Sequence, residues 1–202
     1  EQADEKEEFL KSIQQSLSQI LFWVLPAILG LYLIREPLIR LLLERGAFDA
    51  EATHRTAAML GFFVWAALPQ SFIPLFTRAF YALKKTAFPV LCACVSIVLT
   101  IGFNAIGIWI YKGDVTTLAL GNLLGSALNA SLLYLGLAHE LKVSAFTFLK
   151  FKKVALQLLA LTLMTGAIFA TKEQSMLIQI ALAGVVYLGT LSLFKVRPTR
   201  QQ

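Results

Sequence analysis

The sequence predicts an all-α, polytopic membrane protein with six transmembrane helices. Three observations carry that expectation. First, 57% of the residues are hydrophobic and only 15% charged, with a mean hydropathy of +0.70; soluble domains carry about 25% charged residues. Second, six runs contain no Asp, Glu, Lys or Arg: residues 12–34, 56–77, 86–111, 115–138, 154–171 and 174–194. Crossing a hydrocarbon core of about 30 Å takes about 20 predominantly apolar residues as helix. Five runs reach that length and the run at 154–171 is short but adequate. Third, the runs are continuous in hydrophobicity, without the alternating pattern of a membrane barrel, so helices satisfy the backbone inside the bilayer.

Taken in order, residues 1–16 read as an amphipathic approach to the membrane, with Phe9, Ile13, Leu17 and Ile20 at helical spacing. The acidic opening EQADEKEEF has no basic n-region or cleavage site and is no signal peptide; the chain reads as the C-terminal part of a longer protein. Pro26 is expected to kink the first span by removing one backbone hydrogen bond. Residues 35–46 then read as a separate short helix at the outer interface. Pro37 suits its first turn, Gly46 its C-cap, and Leu38, Leu41 and Leu42 its apolar face. Asp49 is placed to cap the following helix, with Glu51 in its first turn. The second span carries Pro69 and Pro74, with Gln70 and Ser71 available to bond the carbonyls that those prolines free.

The third span bears a polar stripe, Ser96, Thr100, Asn104 and Gly107. The fourth bears Asn122, Ser126 and Asn129 together with Gly121-x-x-x-Gly125. Only a few residues separate these spans, so they are antiparallel neighbours whose stripes can face each other. Two readings follow. Interhelical hydrogen bonding is the favoured one; a cation site of amide and hydroxyl oxygens is the other, and it would need a carboxylate from elsewhere. Residues 139–153 are basic and aromatic, as expected of a segment lying on an anionic leaflet. The fifth and sixth spans are almost purely aliphatic, which suits an accessory pair or a groove for a lipid tail.

The net charge of +6 could suggest a nucleic-acid partner, but its distribution points elsewhere. Counting loops alternately from the N-terminus, one side holds twelve of the eighteen Lys and Arg residues, including Arg78, Lys84, Lys85 and Lys142. The other side holds Arg35, Arg40, Arg45, Arg55, Lys112 and Lys172, and the twelve acids divide evenly. The positive-inside rule therefore places the first side, with both termini, in the cytoplasm. The basic excess is a topology signal, and nucleic acid is not the expected partner. The short basic turn at residues 78–90, between two long apolar runs, fixes that orientation.

Candidate sites are few. Arg35, Arg40 and Arg45 read first as interfacial arginines that snorkel, and second as donors to an anionic headgroup or pyrophosphate. Cys92 and Cys94, two apart on a helix, point to different faces and can neither pair nor share a metal. There is no phosphate-cradling glycine loop, no metal-ligand cluster and no Ser/His/Asp set, so a catalytic reading is rejected.

Three stretches together resemble one family. They are EPLIRLLLERGAF (residues 36–48), RAFYAL (78–83) and TAFPV (86–90). The first is similar to the pattern E-P-[IV]-[IV]-x-L-L-F-x-R-G-x-F, and the others to R-A-F-Y-A-x-x-[DN]-[TP]-x-[TP]-P-V, of the MurJ/MviN lipid II flippases. Lys85 stands where that family often has Asp. The family lies in the multidrug/oligosaccharidyl-lipid/polysaccharide exporter superfamily, and the resemblance covers nearly the whole chain as the last six of fourteen helices. It implies part of a two-lobe exporter fold, with residues 1–150 as the last four helices of the second lobe and 151–202 as a C-terminal helix pair. It further implies an inner-membrane flippase that moves the undecaprenyl-pyrophosphate-linked peptidoglycan precursor, lipid II, by alternating access, with the last two helices forming a groove for the polyprenyl tail. Partners implied are lipid II, membrane lipids and the missing N-terminal part of the same protein. No cofactor is implied beyond Na⁺ or membrane potential as driving force. Family members that bind Na⁺ do so at positions resembling Thr100, Asn104, the Leu118 carbonyl and Asn122, with Thr100 replacing an Asn. The alternatives are an exporter of another lipid-linked oligosaccharide or of drugs, and an interaction module of a cell-wall assembly complex.

Overall fold

A computed structural model describes residues 2–109, 116–144, 151–170, 182 and 184–190. Five helices follow in order: α1 (Gln2–Leu43), α2 (Ala50–Ala82), α3 (Ala87–Trp109), α4 (Thr116–Glu140) and α5 (Phe151–Ala170). Residues 184–190 are also helical, and the described residues contain no strand. The all-α architecture is as the apolar runs required. α1 to α4 are each long and apolar enough to cross a membrane, while the described apolar part of α5 (Ala155–Ile168) is shorter. Most of the sixth run and the loop at 145–150, with Phe146 and Phe148, lie outside the described residues.

The chain divides into two compact units, Glu1–Ile34 with Phe146–Gln202, and Arg35–Ala145. This grouping differs from the expected division after residue 150, because the first span packs with the C-terminal part of the chain. In that unit Phe22, Ala160, Leu161, Met164, Ile168 and Tyr187 form one buried cluster. In the other unit α4 packs along both α2 and α3, while α2 and α3 touch each other only marginally. Its core holds Phe80 and Leu133, both nearly inaccessible. Phe76 stacks against Tyr134 with ring centroids 5.7 Å apart, and Phe80 against Phe88 at 4.8 Å.

The separate interfacial helix does not exist. α1 continues through Arg35 and Pro37 to Leu43, a length of roughly 63 Å at 1.5 Å per residue. Pro37 removes one backbone bond, and the turns after it are stapled by side chains four apart. Arg40 pairs with Glu36 (3.6 Å) and with Glu44 (3.2 Å). Ile39 is the buried residue of this segment, whereas Leu41 and Leu42 are exposed. Gly46 is not a helix cap but the left-handed residue (φ 62°) of a turn in which Phe48 N–H donates to the Arg45 carbonyl (3.1 Å). Asp49 caps α2 as expected, accepting from the Ala52 amide at 2.8 Å, with Glu51 in the first turn. In α2 the Ser71 hydroxyl donates to the Leu68 carbonyl (2.7 Å), which is not one of the carbonyls that Pro69 and Pro74 leave free.

Candidate transport elements and their polar contacts

Four features of this fold have the chemistry of a site. The first is an apolar groove of about 350 Å³ in the unit formed by the start of α1 and the C-terminal region. Trp23, Pro26, Ala27, Gly30 and Leu31 of α1 line it, with Met164 and Ile168 of α5 and Gly184, Tyr187 and Leu188. A side chain at Gly30 would crowd Met164, whose Cε lies 3.3 Å from where a Cβ would stand. Tyr187 anchors one wall. Its hydroxyl, on a residue only 2% exposed, donates to the Phe22 carbonyl at 2.7 Å. That carbonyl lies four residues before Pro26 and has lost its helical donor to the proline ring. The sequence shows Pro26 plainly, but nothing in it reveals that the missing donor is supplied from 165 residues away.

The second feature is the interface between α3 and α4. The α3 stripe does meet α4, and it meets the glycine ridge. A Cβ at Gly121 would overlap the Asn104 amide, and one at Gly125 would overlap the Thr100 hydroxyl. The hydroxyls turn back onto their own helices. Ser96, 4% exposed, donates to the Cys92 carbonyl (2.8 Å), Thr100 to the Ser96 carbonyl (2.8 Å) and Ser126 to the Leu123 carbonyl (3.0 Å). Among the described residues two amide oxygens are buried without a hydrogen-bond partner, Asn104 Oδ1 and Asn129 Oδ1. Of the positions expected for Na⁺, Thr100 and Asn104 therefore share the α3–α4 seam. Asn122 is half-buried and Leu118 is 41% exposed. Among the described residues no cluster of three or more His, Cys, Asp or Glu could hold a metal ion. Cys92 is buried and Cys94 exposed, both free.

The third feature is the arginine-rich corner between α1 and α2. Arg40 is held by two carboxylates, and one of them, Glu44, also accepts from the Thr53 hydroxyl at 2.9 Å. Thr53 is 1% exposed, so this bond satisfies a buried hydroxyl and ties the end of α1 to the first turn of α2. Arg55 pairs with Glu51 (2.6 Å). Arg35 is half-buried and Arg45 exposed. The charge of Arg40 is thus already balanced, whereas that of Arg45 faces outward.

The fourth is the basic turn. α2 ends with Lys84 in the left-handed conformation (φ 57°), Lys85 N–H donating to the Phe80 carbonyl (2.9 Å) and Lys84 N–H to that of Tyr81 (3.0 Å). α4 ends the same way, with Lys142 at φ 49°, Val143 N–H on the Ala138 carbonyl (3.1 Å) and Lys142 N–H on that of His139 (3.0 Å). Both are Schellman caps in which lysine stands where glycine is the default. Lys85 forms an ion pair with Glu140, the last residue of α4. This contact brings the α2–α3 turn and the end of α4 to the same end of the unit.

Long apolar helices, helix ends capped by basic turns, an apolar groove and a polar seam define a polytopic all-helical protein whose helices are long and apolar enough to cross a membrane. The family model described as Lipid II flippase MurJ matches residues 1–194. The chain belongs to the MurJ lipid II flippase family. The probable lipid II flippase MurJ of Haemophilus influenzae is 28% identical over 210 residues, covering 94% of this chain and 39% of that protein. Its counterpart in Bdellovibrio bacteriovorus is 35% identical over 92 residues, 46% of this chain and 18% of that one. A solved structure of a lipid II flippase MurJ in an inward closed conformation superposes with a TM-score of 0.75 at 23% identity, covering 96% of this chain and 41% of its own. The fold is thus that of the solved flippase, and the chain spans about two fifths of the length of that structure and of the Haemophilus influenzae protein.

Proposed function

We propose that this chain is part of a lipid II flippase, moving the undecaprenyl-pyrophosphate-linked peptidoglycan precursor across the inner membrane by alternating access. The match of the family model to residues 1–194 carries the reading, and the apolar groove supports it. A groove with walls of Trp23, Leu31, Met164 and Leu188 suits a polyprenyl tail, which offers only apolar surface. The headgroup, a pyrophosphate, suits the exposed guanidinium of Arg45 better than that of Arg40, which its carboxylates occupy. The work is transport and not catalysis. Loops of alternate charge put the Lys84 turn and both ends of the chain in the cytoplasm, and the Lys85–Glu140 pair supports the alternation.

The test is complementation: the full-length protein should restore growth and shape to cells depleted of their own flippase. Failure by a correctly inserted protein overturns the substrate assignment. For the driving ion we propose Na⁺ at the α3–α4 seam, with Asn104 Oδ1 as one ligand, since this oxygen is buried without a partner and hard cations take oxygen ligands. Asn104→Ala should lower transport most at low Na⁺ and recover as Na⁺ rises. An equal loss at every Na⁺ concentration assigns Asn104 to packing.

A further inference from the structure

The turn between α2 and α3 opens onto a shallow groove of about 730 Å³ that the flippase reading leaves unused. One end is polar, formed by Lys84, Lys85 and Thr86; the other is apolar, formed by Val90, Leu91 and Cys94 on the first turns of α3. The apolar end is open, with Val90 58% and Leu91 61% exposed. The uncharged run of α3 begins at Thr86, so the lysines stand at the edge of the hydrocarbon region, where a long cationic side chain reaches the headgroup layer. Lys85 is ion-paired with Glu140. Lys142, at the end of α4, adds a further cation to this side of the unit, so three lysines face one carboxylate and the charge here is positive. The left-handed cap of Lys84 sets the direction in which its Cβ leaves the backbone.

A ligand that covers both ends must be anionic at its head and apolar in its tail. We infer that this groove binds an anionic glycerophospholipid of the surrounding bilayer, of the phosphatidylglycerol type. Its phosphate sits at Lys84 and the Thr86 hydroxyl, and one acyl chain lies along Val90, Leu91 and Cys94. The cation attracts the phosphate across the headgroup layer, and the acyl chain covers side chains that the described residues leave exposed. The inference requires only that the chain lies in a bilayer and is independent of which lipid is transported.

The test uses the full-length protein reconstituted in neutral phosphatidylcholine nanodiscs. These are doped with phosphatidylglycerol carrying a diazirine on one acyl chain, or with the same probe on phosphatidylcholine, and cross-links are mapped by peptide mass spectrometry. The phosphatidylglycerol probe should label Val90, Leu91 and Cys94 more strongly than the phosphatidylcholine probe does. Lys84→Gln should cut that labelling about five-fold, as expected for one lysine near an anionic surface, while Lys142→Gln, which removes a lysine outside the groove, leaves most of it. Equal labelling by the two probes, or an equal loss in both variants, overturns the site in favour of ordinary annular lipid or diffuse surface charge. Should Lys84→Gln fail to insert, the comparison of the two probes on the unaltered protein still decides.

Discussion

At the scale of single residues, the informative pair is Pro26 and Tyr187. A proline within a helix removes one donor and leaves the carbonyl four residues earlier without its partner. In a bilayer no water replaces it, so a neighbouring side chain has to. Here the Tyr187 hydroxyl does so at 2.7 Å from the Phe22 carbonyl, beside a ring contact with Phe22 at 5.9 Å. Tyr187→Phe keeps the ring and removes the donor, and should cost about 1–3 kcal/mol, the penalty of an unsatisfied buried acceptor. In a Pro26→Ala background the helix supplies its own donor, so the same substitution should cost little. Thermal unfolding of the four proteins of this cycle in detergent checks it; additive losses would mean that the proline and the tyrosine are not coupled. Lys84 and Lys142 teach a related lesson. A left-handed residue other than glycine carries a penalty of roughly 1–2 kcal/mol, yet both helix ends keep a cation there, where the negative end of the helix dipole favours it. Gly46, the left-handed residue of the turn between α1 and α2, is a glycine.

At the scale of helices, close approach decides the packing. α4 presents glycines at three close approaches of α3: Gly121 under Asn104, Gly125 under Thr100 and Gly136 under the Phe88 ring. Without a hydrophobic driving force between helices in lipid, such smooth surfaces supply van der Waals contact instead. Gly136→Ala would press a methyl group into Phe88, itself wedged against Phe80, and should destabilise by about 1–3 kcal/mol. Gly102→Ala is the control, since a Cβ there meets nothing within 4 Å, and a helix interior gains up to about 1 kcal/mol from alanine over glycine. A fall in unfolding midpoint for the first and none for the second is the expected result; similar falls in both would assign the effect to the backbone. The spacing of the polar stripe on α3 and the small-xxx-small ridge on α4 were legible in the sequence, because period and residue size are local properties. That the hydroxyls of Ser96, Thr100 and Ser126 bond back within their own helices was not, since backbone and neighbour compete for the same donor. Residues 35–43 were misassigned for a similar reason. Pro37 and Gly46 are start and stop signals in sequence, but one helix runs through the proline to Leu43, and the i,i+4 pairs of Arg40 add only about 0.2–0.5 kcal/mol each to its last turns.

At the scale of the whole molecule, sidedness is the claim that organises the rest. In a background without Cys92 and Cys94, a cysteine at Lys84 should resist membrane-impermeant thiol reagents applied to intact cells, and one at Ala50 should react. The reverse pattern would invert the orientation and every statement about sides. By itself the sequence determined the class of the protein, the spans within α1 to α4 and the end of the molecule that carries the basic turns. Each of these follows from run length, hydropathy and charge, which are sums over neighbouring residues. It also carried the motifs that resemble the flippases, and the family match agrees. What only the tertiary structure decided is which distant parts meet: the start of α1 with α5 and Tyr187, Glu44 with Thr53, and Lys85 with Glu140. Such contacts depend on helices brought together by packing across many residues, and no local pattern in the chain encodes which face of one helix will supply the donor that another has lost.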